Sequence, residues 1–307
     1  MQHRHPRCVS LVYPKASTEF SLSHYTMQVD TKIRTFGGTL YKLSHESKTL
    51  KCSMKVNMFI PGSFEQAKGP VMFYLSGLTC SPENATEKGG FFDALAENNI
   101  AIVFPDTSPR GLDLPGEHDS WDFGSAAGFY VDATQEPWKE NYRMESYVVK
   151  ELPELLQANF SNLLDLSSKS ILGHSMGGYG ALSLYLRYPG HYKCVSAFSP
   201  ISNPSNCPWG VKAFTGYLGK DKTTWAAYDP TELVKSYSGP AGEVLIDCGT
   251  GDQFYTQGQL LPENFEQAAK GSSLKVHLRL QPEYDHSYFF VSTFARDHVA
   301  HHAKYLR

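Results

Sequence analysis

Gly173-His174-Ser175-Met176-Gly177 constrains this chain more than any other segment. Ser170-Ile171-Leu172 ahead of it reads as a buried strand, and Gly180-Ala181-Leu182-Ser183-Leu184-Tyr185-Leu186 behind it as a helix. A serine at the tip of a strand-to-helix turn is held in a strained backbone conformation. The strand and helix then pass so close that the flanking positions must be nearly free of side chains. Gly173, Gly177 and Gly178 satisfy that demand. Strand, G-x-S-x-G turn and helix together present a hydroxyl for nucleophilic attack, which makes Ser175 the candidate nucleophile.

The rest of the chain agrees with such a turn. Short apolar runs at 71–75, 100–104, 170–172, 194–198, 244–246 and 276–280, each bounded by Gly, Pro, Ser or Asp, have the length of strands buried on both faces. Helical patterns lie between several of them, at 91–97, 147–160, 180–187 and 265–270, with Pro153 a start or kink in the second. Met54, Val56, Met58 and Ile60 alternate with polar or small residues up to Pro61-Gly62, as in a half-buried antiparallel strand. Alternating strand and helix predicts an α/β fold: a mostly parallel central sheet with helices on both faces, and chemistry at the carboxyl ends of the strands. Residues 31–307 are expected to form a single catalytic domain. Residues 1–30 differ in composition, with His3, Arg4, His5, Arg7 and Lys15 against only Glu19 and Asp30. They read as a disordered extension, with organelle targeting as the alternative.

Charge excludes some partners. The chain has 28 Lys+Arg and 31 Asp+Glu, a formal net charge of -3. These charges are spread along the chain, leaving no footprint for nucleic acid or an anionic membrane. No apolar run approaches the roughly 20 residues of a membrane span. The six cysteines, Cys8, Cys52, Cys80, Cys194, Cys207 and Cys248, are scattered without C-x-x-C pairs, as in a reducing compartment. A small-molecule substrate is therefore expected.

A serine hydroxyl needs a base within hydrogen-bond reach and a carboxylate to orient that base, supplied here in the chain order Ser, Asp or Glu, His. The strand at 244–246 leads into Asp247-Cys248-Gly249-Thr250-Gly251-Asp252. Asp252, beyond a Gly-Thr-Gly loop that can turn it back toward the active edge, is preferred over Asp247, which reads as a cap or loop residue. The strand at 276–280 leads to Tyr284-Asp285-His286-Ser287-Tyr288, and His286 is the expected base. His298 and His302 stand i, i+4 as zinc ligands can. Without a Glu in the H-E-x-x-H sense they read as solvated helix surface, so no metal is expected. The oxyanion of an acyl-transfer intermediate needs two N–H donors. Met176 supplies one, and the loop after 71–75 the other, from Leu78 or, as runner-up, Gly77. Cys80 lies just behind that donor and reads as either a modulatory thiol or a buried structural one.

Several longer strings carry a resemblance: Tyr74-Leu75-Ser76-Gly77-Leu78-Thr79-Cys80, Pro105-Asp106-Thr107-Ser108-Pro109-Arg110-Gly111, Asp119-Ser120-Trp121-Asp122-Phe123-Gly124, Gly128-Phe129-Tyr130-Val131-Asp132-Ala133-Thr134 and the Ser175 turn. With Asn141-Tyr142-Arg143-Met144, Tyr284-Asp285-His286-Ser287-Tyr288 and His301-His302-Ala303-Lys304-Tyr305, the chain from about Thr31 onward resembles the S-formylglutathione hydrolases (esterase D) of the α/β-hydrolase superfamily. The resemblance implies hydrolysis of S-formylglutathione to glutathione and formate, the thioester step of formaldehyde detoxification. It also implies a cytoplasmic, cofactor-free and commonly homodimeric enzyme, with family roles at Ser175, Asp252 and His286. The alternative is a broad carboxylesterase or acyltransferase on the same fold, and less so a non-catalytic binding relative. A formyl group asks for a tight acyl pocket, which Trp121, Phe123, Phe129 or Tyr130 could narrow, with core packing the other reading of each. Glutathione's carboxylates ask for cations, and Arg110, Arg143, Lys212 and Lys220 stay open as candidates. Ser125-Ala126-Ala127 departs from the glycine-rich stretch expected before Gly128.

Overall fold

The apolar runs become strands of one sheet in the computed structural model, which describes residues 26–306. The nine strands are β1 (Gln28–Thr35), β2 (Gly38–Ser47), β3 (Cys52–Ile60), β4 (Gly69–Leu75), β5 (Ala101–Pro105), β6 (Leu164–His174), β7 (Val195–Phe198), β8 (Gly242–Gly249) and β9 (Leu274–Gln281). Their spatial order is β1-β2-β3-β5-β4-β6-β7-β8-β9. The first three form an antiparallel meander, β3 runs antiparallel to β5, and all later pairings are parallel. The β1–β2 hairpin has no apolar run to announce it, because seven of the eight β1 side chains are exposed and the eighth is half-buried. Gln28 and Asp30, within the segment read as an extension, already belong to β1, and residues 1–25 lie outside the described residues.

Eight helices matter for the site: α1 (Pro82–Lys88), α2 (Phe92–Asn98), α3 (Leu152–Phe160), α4 (Met176–Arg187), α5 (Pro208–Leu218), α6 (Gln253–Thr256), α7 (Pro262–Ala269) and α8 (Tyr288–Leu306). The helix expected over 147–160 is a π-turn at Tyr147–Glu151 followed by α3. Pro153 has no N–H to give to the preceding turn, and the wider π-turn carries the chain past it.

Strand β4 shows why its run is continuous rather than alternating. Val71, Phe73 and Leu75 face a core shared with Leu155, Leu182 and Phe214, while Met72 and Tyr74 face a second core with Phe91, Leu95, Phe290 and Val299. Both faces are covered, so every position contributes burial, about 1.5–3 kcal/mol for a large apolar side chain. From β4 the chain crosses to β5 on one side and then returns to β6 on the other, with Leu75 paired to Gly173. This reversal of strand order opens a crevice at the carboxyl ends of β4 and β6, where Ser175 lies.

Helix α8 corrects one expectation. His298 and His302 are fully buried and His301 nearly so, packed against the sheet instead of facing water. They share the inward stripe with Val291, Ala295 and Val299. Their partners come from segments 51 to 108 residues earlier in the chain, which local pattern cannot reveal. No helix among the described residues is long and apolar enough to cross a membrane.

Close backbone approach at the turn makes a direct test. A Cβ on Gly177 would stand 1.9 Å from the Leu75 carbonyl oxygen and 2.6 Å from that of Ser76, both backbone atoms. Gly177→Ala should destabilise the protein by at least about 1–3 kcal/mol, the usual scale of overpacking. Urea denaturation measures this, and an unchanged midpoint would contradict the packing described.

Candidate active site

Ser175 takes φ 59° and ψ -119°, a backbone conformation that side-chain-bearing residues rarely adopt. Hydrogen bonds on both sides hold it there: its N–H donates to Phe198 O at 2.9 Å, and its carbonyl accepts from Tyr179 N at 3.0 Å and Ile201 N at 3.3 Å. The end of β7 therefore clamps the turn, while Gly173, whose Cβ would fall 2.1 Å from Gly177 O, lets β6 and α4 meet. The Ser175 hydroxyl makes no hydrogen bond among the described residues and lines a pocket of about 280 Å³.

Met176 is the first residue of α4, directly after Ser175, so its N–H has no partner within the helix. The loop after β4 faces it: a Cβ on Gly77 would lie 3.1 Å from Ser175 Cβ and 3.6 Å from Ser175 Oγ. Thr79 N–H donates to Ala126 O and Cys80 N–H to Gly77 O, which leaves the Gly77 and Leu78 amides as this loop's donors next to the serine. Three contacts fix the loop. Tyr130 Oη donates to Ser76 O at 2.9 Å, Thr107 Oγ1 to Cys80 O at 2.6 Å and Arg110 Nη2 to Cys80 O at 2.8 Å.

Asp252 stands at the N-cap of α6, fully buried, with Oδ1 accepting from Phe254 N at 2.8 Å. Its Oδ2 lies 2.5 Å from His286 Nδ1. Gly249 and Gly251 make this pairing sterically feasible: Cβ atoms there would come within 2.1 Å of Tyr284 O and 2.6 Å of Glu283 O, in the loop that carries His286. The imidazole is wedged between two rings, His174 at 4.5 Å and Phe254 at 4.8 Å. Burial, and after it the neighbouring His286, holds the His174 pKa well below the usual imidazole range, so His174 is neutral. Ser175, His286, Leu78, Cys80 and Trp121 all line the one pocket. Asp247, the other candidate acid, turns away to His298 and Arg279.

Sequence reasoning missed part of the wall. Asn84, Trp209, Phe254 and Tyr288 also line the pocket, where Trp121 meets Trp209 edge-on at 5.7 Å and Trp209 meets Phe254 at a tilt at 4.6 Å. Ser81-Pro82-Glu83-Asn84 is legible as a helix cap, with Asn84 Oδ1 accepting from Ser81 N at 2.9 Å, but nothing local marks Trp209. Phe129 is a correction: it is fully buried, packs on Tyr179 at 6.1 Å and does not line the pocket. Phe123 and Tyr130 likewise sit behind it, Phe123 stacked on Tyr217 and Tyr130 bonded to the Ser76 carbonyl. Among the described residues no Lys or Arg lines this pocket. Arg110 is tied to Asp106, Lys212 to Asp122 and Ser120, and Arg143 lies 3.6 Å from Asp132.

Comparison with known proteins fits this geometry. Residues 47–301 match a family model described as "Putative esterase". S-formylglutathione hydrolase of Bos taurus is 54% identical over 273 residues, covering 89% of this chain and 96% of the bovine protein. The Arabidopsis thaliana S-formylglutathione hydrolase is 53% identical over 274 residues, 89% of this chain and 95% of its own. The chain belongs to the S-formylglutathione hydrolase family. A solved S-formylglutathione hydrolase from Agrobacterium tumefaciens superposes with a TM-score of 0.87 at 44% identity, over 91% of this chain and 99% of its own. The α/β-hydrolase fold of this family is the one described above, and the family's chemistry is ester hydrolysis.

Cys80 is buried, with Sγ 3.9 Å from Tyr288 Oη, and burial raises its thiol pKa. A thiol raised in this way is protonated at neutral pH and therefore a poor nucleophile. Alkylation of Cys80 by iodoacetamide should be slower than that of free cysteine at pH 7, accelerate above pH 9, and block the pocket once complete. Peptide mapping against residual activity tests this, and rapid labelling at pH 7 would count against it.

Proposed function

We propose that the protein is a serine thioesterase that hydrolyses S-formylglutathione to glutathione and formate. Ser175 is the nucleophile, His286 the general base and acid, Asp252 its orienting carboxylate, and the Leu78 and Met176 amides the oxyanion donors. The observation that carries this reading is the 2.5 Å Asp252–His286 pair lining, through His286, the same pocket as the strained Ser175. It is supported by relatives named for that activity across most of the chain.

An ionised carboxylate only accepts hydrogen bonds, so the His286 proton sits on Nδ1 and Nε2 keeps its lone pair. Nε2 takes the Ser175 proton as Oγ adds to the formyl carbon, through a hydrogen bond made once substrate fills the pocket. The carbonyl electron pair moves to oxygen, where the two amides receive it. As the carbon–sulfur bond breaks, the imidazolium returns its proton to the glutathione sulfur. Water, deprotonated by the same Nε2, then cleaves the formyl ester and Ser175 recovers its proton as formate leaves. Neutral His174 beside the ring adds no second positive charge while His286 is an imidazolium.

A pocket wall of aromatic rings with no cation favours a small acyl group and leaves room for side activity on small esters. The glutathione carboxylates then meet cations beyond this pocket. The reading also takes the chain as one catalytic domain working as a cytoplasmic homodimer. Light scattering on the purified protein tests the dimer. Comparing kcat/KM for S-formylglutathione with that for an aryl acetate tests the substrate, and a preference for the aryl ester would point to a general carboxylesterase.

Asp252→Asn should lower kcat by about 10⁴, the scale of removing the orienting carboxylate, and Ser175→Ala should at least match it. Steady-state assays on the folded variants measure this, with fluorophosphonate labelling of Ser175 as the companion readout. Turnover within tenfold of wild type in either variant would refute the assignment.

A further inference from the structure

A second acid–imidazole pair is built on the elements that carry the first. Asp247 on β8 is fully buried, and its carboxylate is surrounded by donors. Oδ1 accepts from Arg279 Nε at 2.6 Å and Gln281 Nε2 at 3.0 Å, both on β9. Oδ2 accepts from Arg279 Nη2 and, at 3.0 Å, from His298 Nε2 on α8. Burial alone would raise this carboxyl's pKa, but the bonds from His298, Arg279 and Gln281 outweigh it and bring it to about 2.

The carboxylate sets the direction of a longer chain. It can only accept, so His298 carries its proton on Nε2, and His298 Nδ1 accepts from Ser196 Oγ at 2.8 Å. Ser196 Oγ in turn accepts from His302 Nε2 at 2.8 Å, and His302 Nδ1 accepts from Cys194 Sγ at 3.1 Å. Both imidazole tautomers and the hydroxyl orientation follow from one buried charge.

Each element that meets Asp247 leads directly into the candidate site. Asp252 follows Asp247 by five residues at the end of β8, and His286 follows Gln281 by five between β9 and α8. The Gln281 carbonyl accepts from Thr250 N at 2.9 Å, which joins the two loops. We infer that Asp247 is a positioning residue for the reaction: by locking β9 and α8 onto β8, its carboxylate sets the gap across which Asp252 meets His286. This rests on the reading of Ser175, Asp252 and His286 as the reacting set.

Asp247→Asn tests it. The amide preserves shape and the Oδ1 acceptor but presents N–H to His298, so His298 and His302 must both move their protons to Nδ1. Nitrogen-15 shifts of the two imidazoles should show that exchange. In the folded variant, assayed well below its own melting temperature, kcat for an aryl acetate should fall by about 10- to 100-fold, the scale of an ångström-sized misplacement of reacting groups, with KM within about twofold. Arg279→Gln loosens the same lock from its half-exposed side and should lower kcat several-fold, which keeps the question answerable if Asp247→Asn does not fold. Lower melting temperature with wild-type kcat in a folded variant, or a loss confined to KM, overturns the inference and leaves Asp247 a structural residue. His286→Ala serves as the control. If it is inactive while Asp247→Asn turns over normally, only the positioning role fails; if His286→Ala retains full turnover, the reading of the site fails and the inference with it.

Discussion

The geometry of the site depends on how closely three backbone segments approach one another around Ser175. The carbonyl of Leu75 presses on Gly177, the carbonyl of Gly177 on Gly173, and the Phe198 carbonyl takes the Ser175 N–H. No side chain larger than hydrogen fits between them. This crowding offsets the unfavourable φ of Ser175, because any relaxation of the turn would break hydrogen bonds at the ends of β6 and β7. The same crowding brings the β4 loop close against the Ser175 side chain, so one contact sets the loop and the serine together.

Around that fixed point the backbone of the β4 loop is held by side-chain hydrogen bonds. Tyr130, Thr107 and Arg110 hold the carbonyls of the β4 loop, whose Gly77 and Leu78 line the pocket. Arg110 illustrates how a cation that composition offers for substrate can be taken up by scaffold: its guanidinium spans Asp106 and the Cys80 carbonyl. On the other side Asp252 and Asp247 divide the work of two carboxylates five residues apart. One pairs with the histidine at the pocket, and the other bonds β9 and α8 behind it. Burial without partners would drive Asp247 toward the neutral acid, and the donors around it are what make its buried charge tolerable.

Much of this was legible before any coordinates. The G-x-S-x-G turn, five buried runs and the chain order Ser175, Asp252, His286 are local facts, readable because strand, turn and helix each impose a short-range pattern on residue type. The sixth run, 276–280, is a strand but lies at the sheet edge, half-buried with Leu280 exposed. The hairpin of β1 and β2 escaped because its outward side chains are polar or exposed. Phe129 looked like a pocket residue because an aromatic string beside a Gly suits a binding wall as well as a core, and only packing against Tyr179 separates the two. His298 and His302 looked like surface because histidine on a helix, without sight of Asp247, Ser196 and Cys194, has no visible partner.

The amino-acid order by itself determined the chemistry on offer: a strained serine, a carboxylate and an imidazole in a fixed sequence, and glycines wherever backbones must touch. Those demands are steric and act within a few residues, so one dimension suffices to express them. That Asp247 meets His298, which aromatic rings face the pocket and which loop amides remain free were decided only in the tertiary structure. Each depends on distances between segments tens of residues apart in the chain, 51 for Asp247 and His298, and such distances exist only once the sheet has brought their ends together.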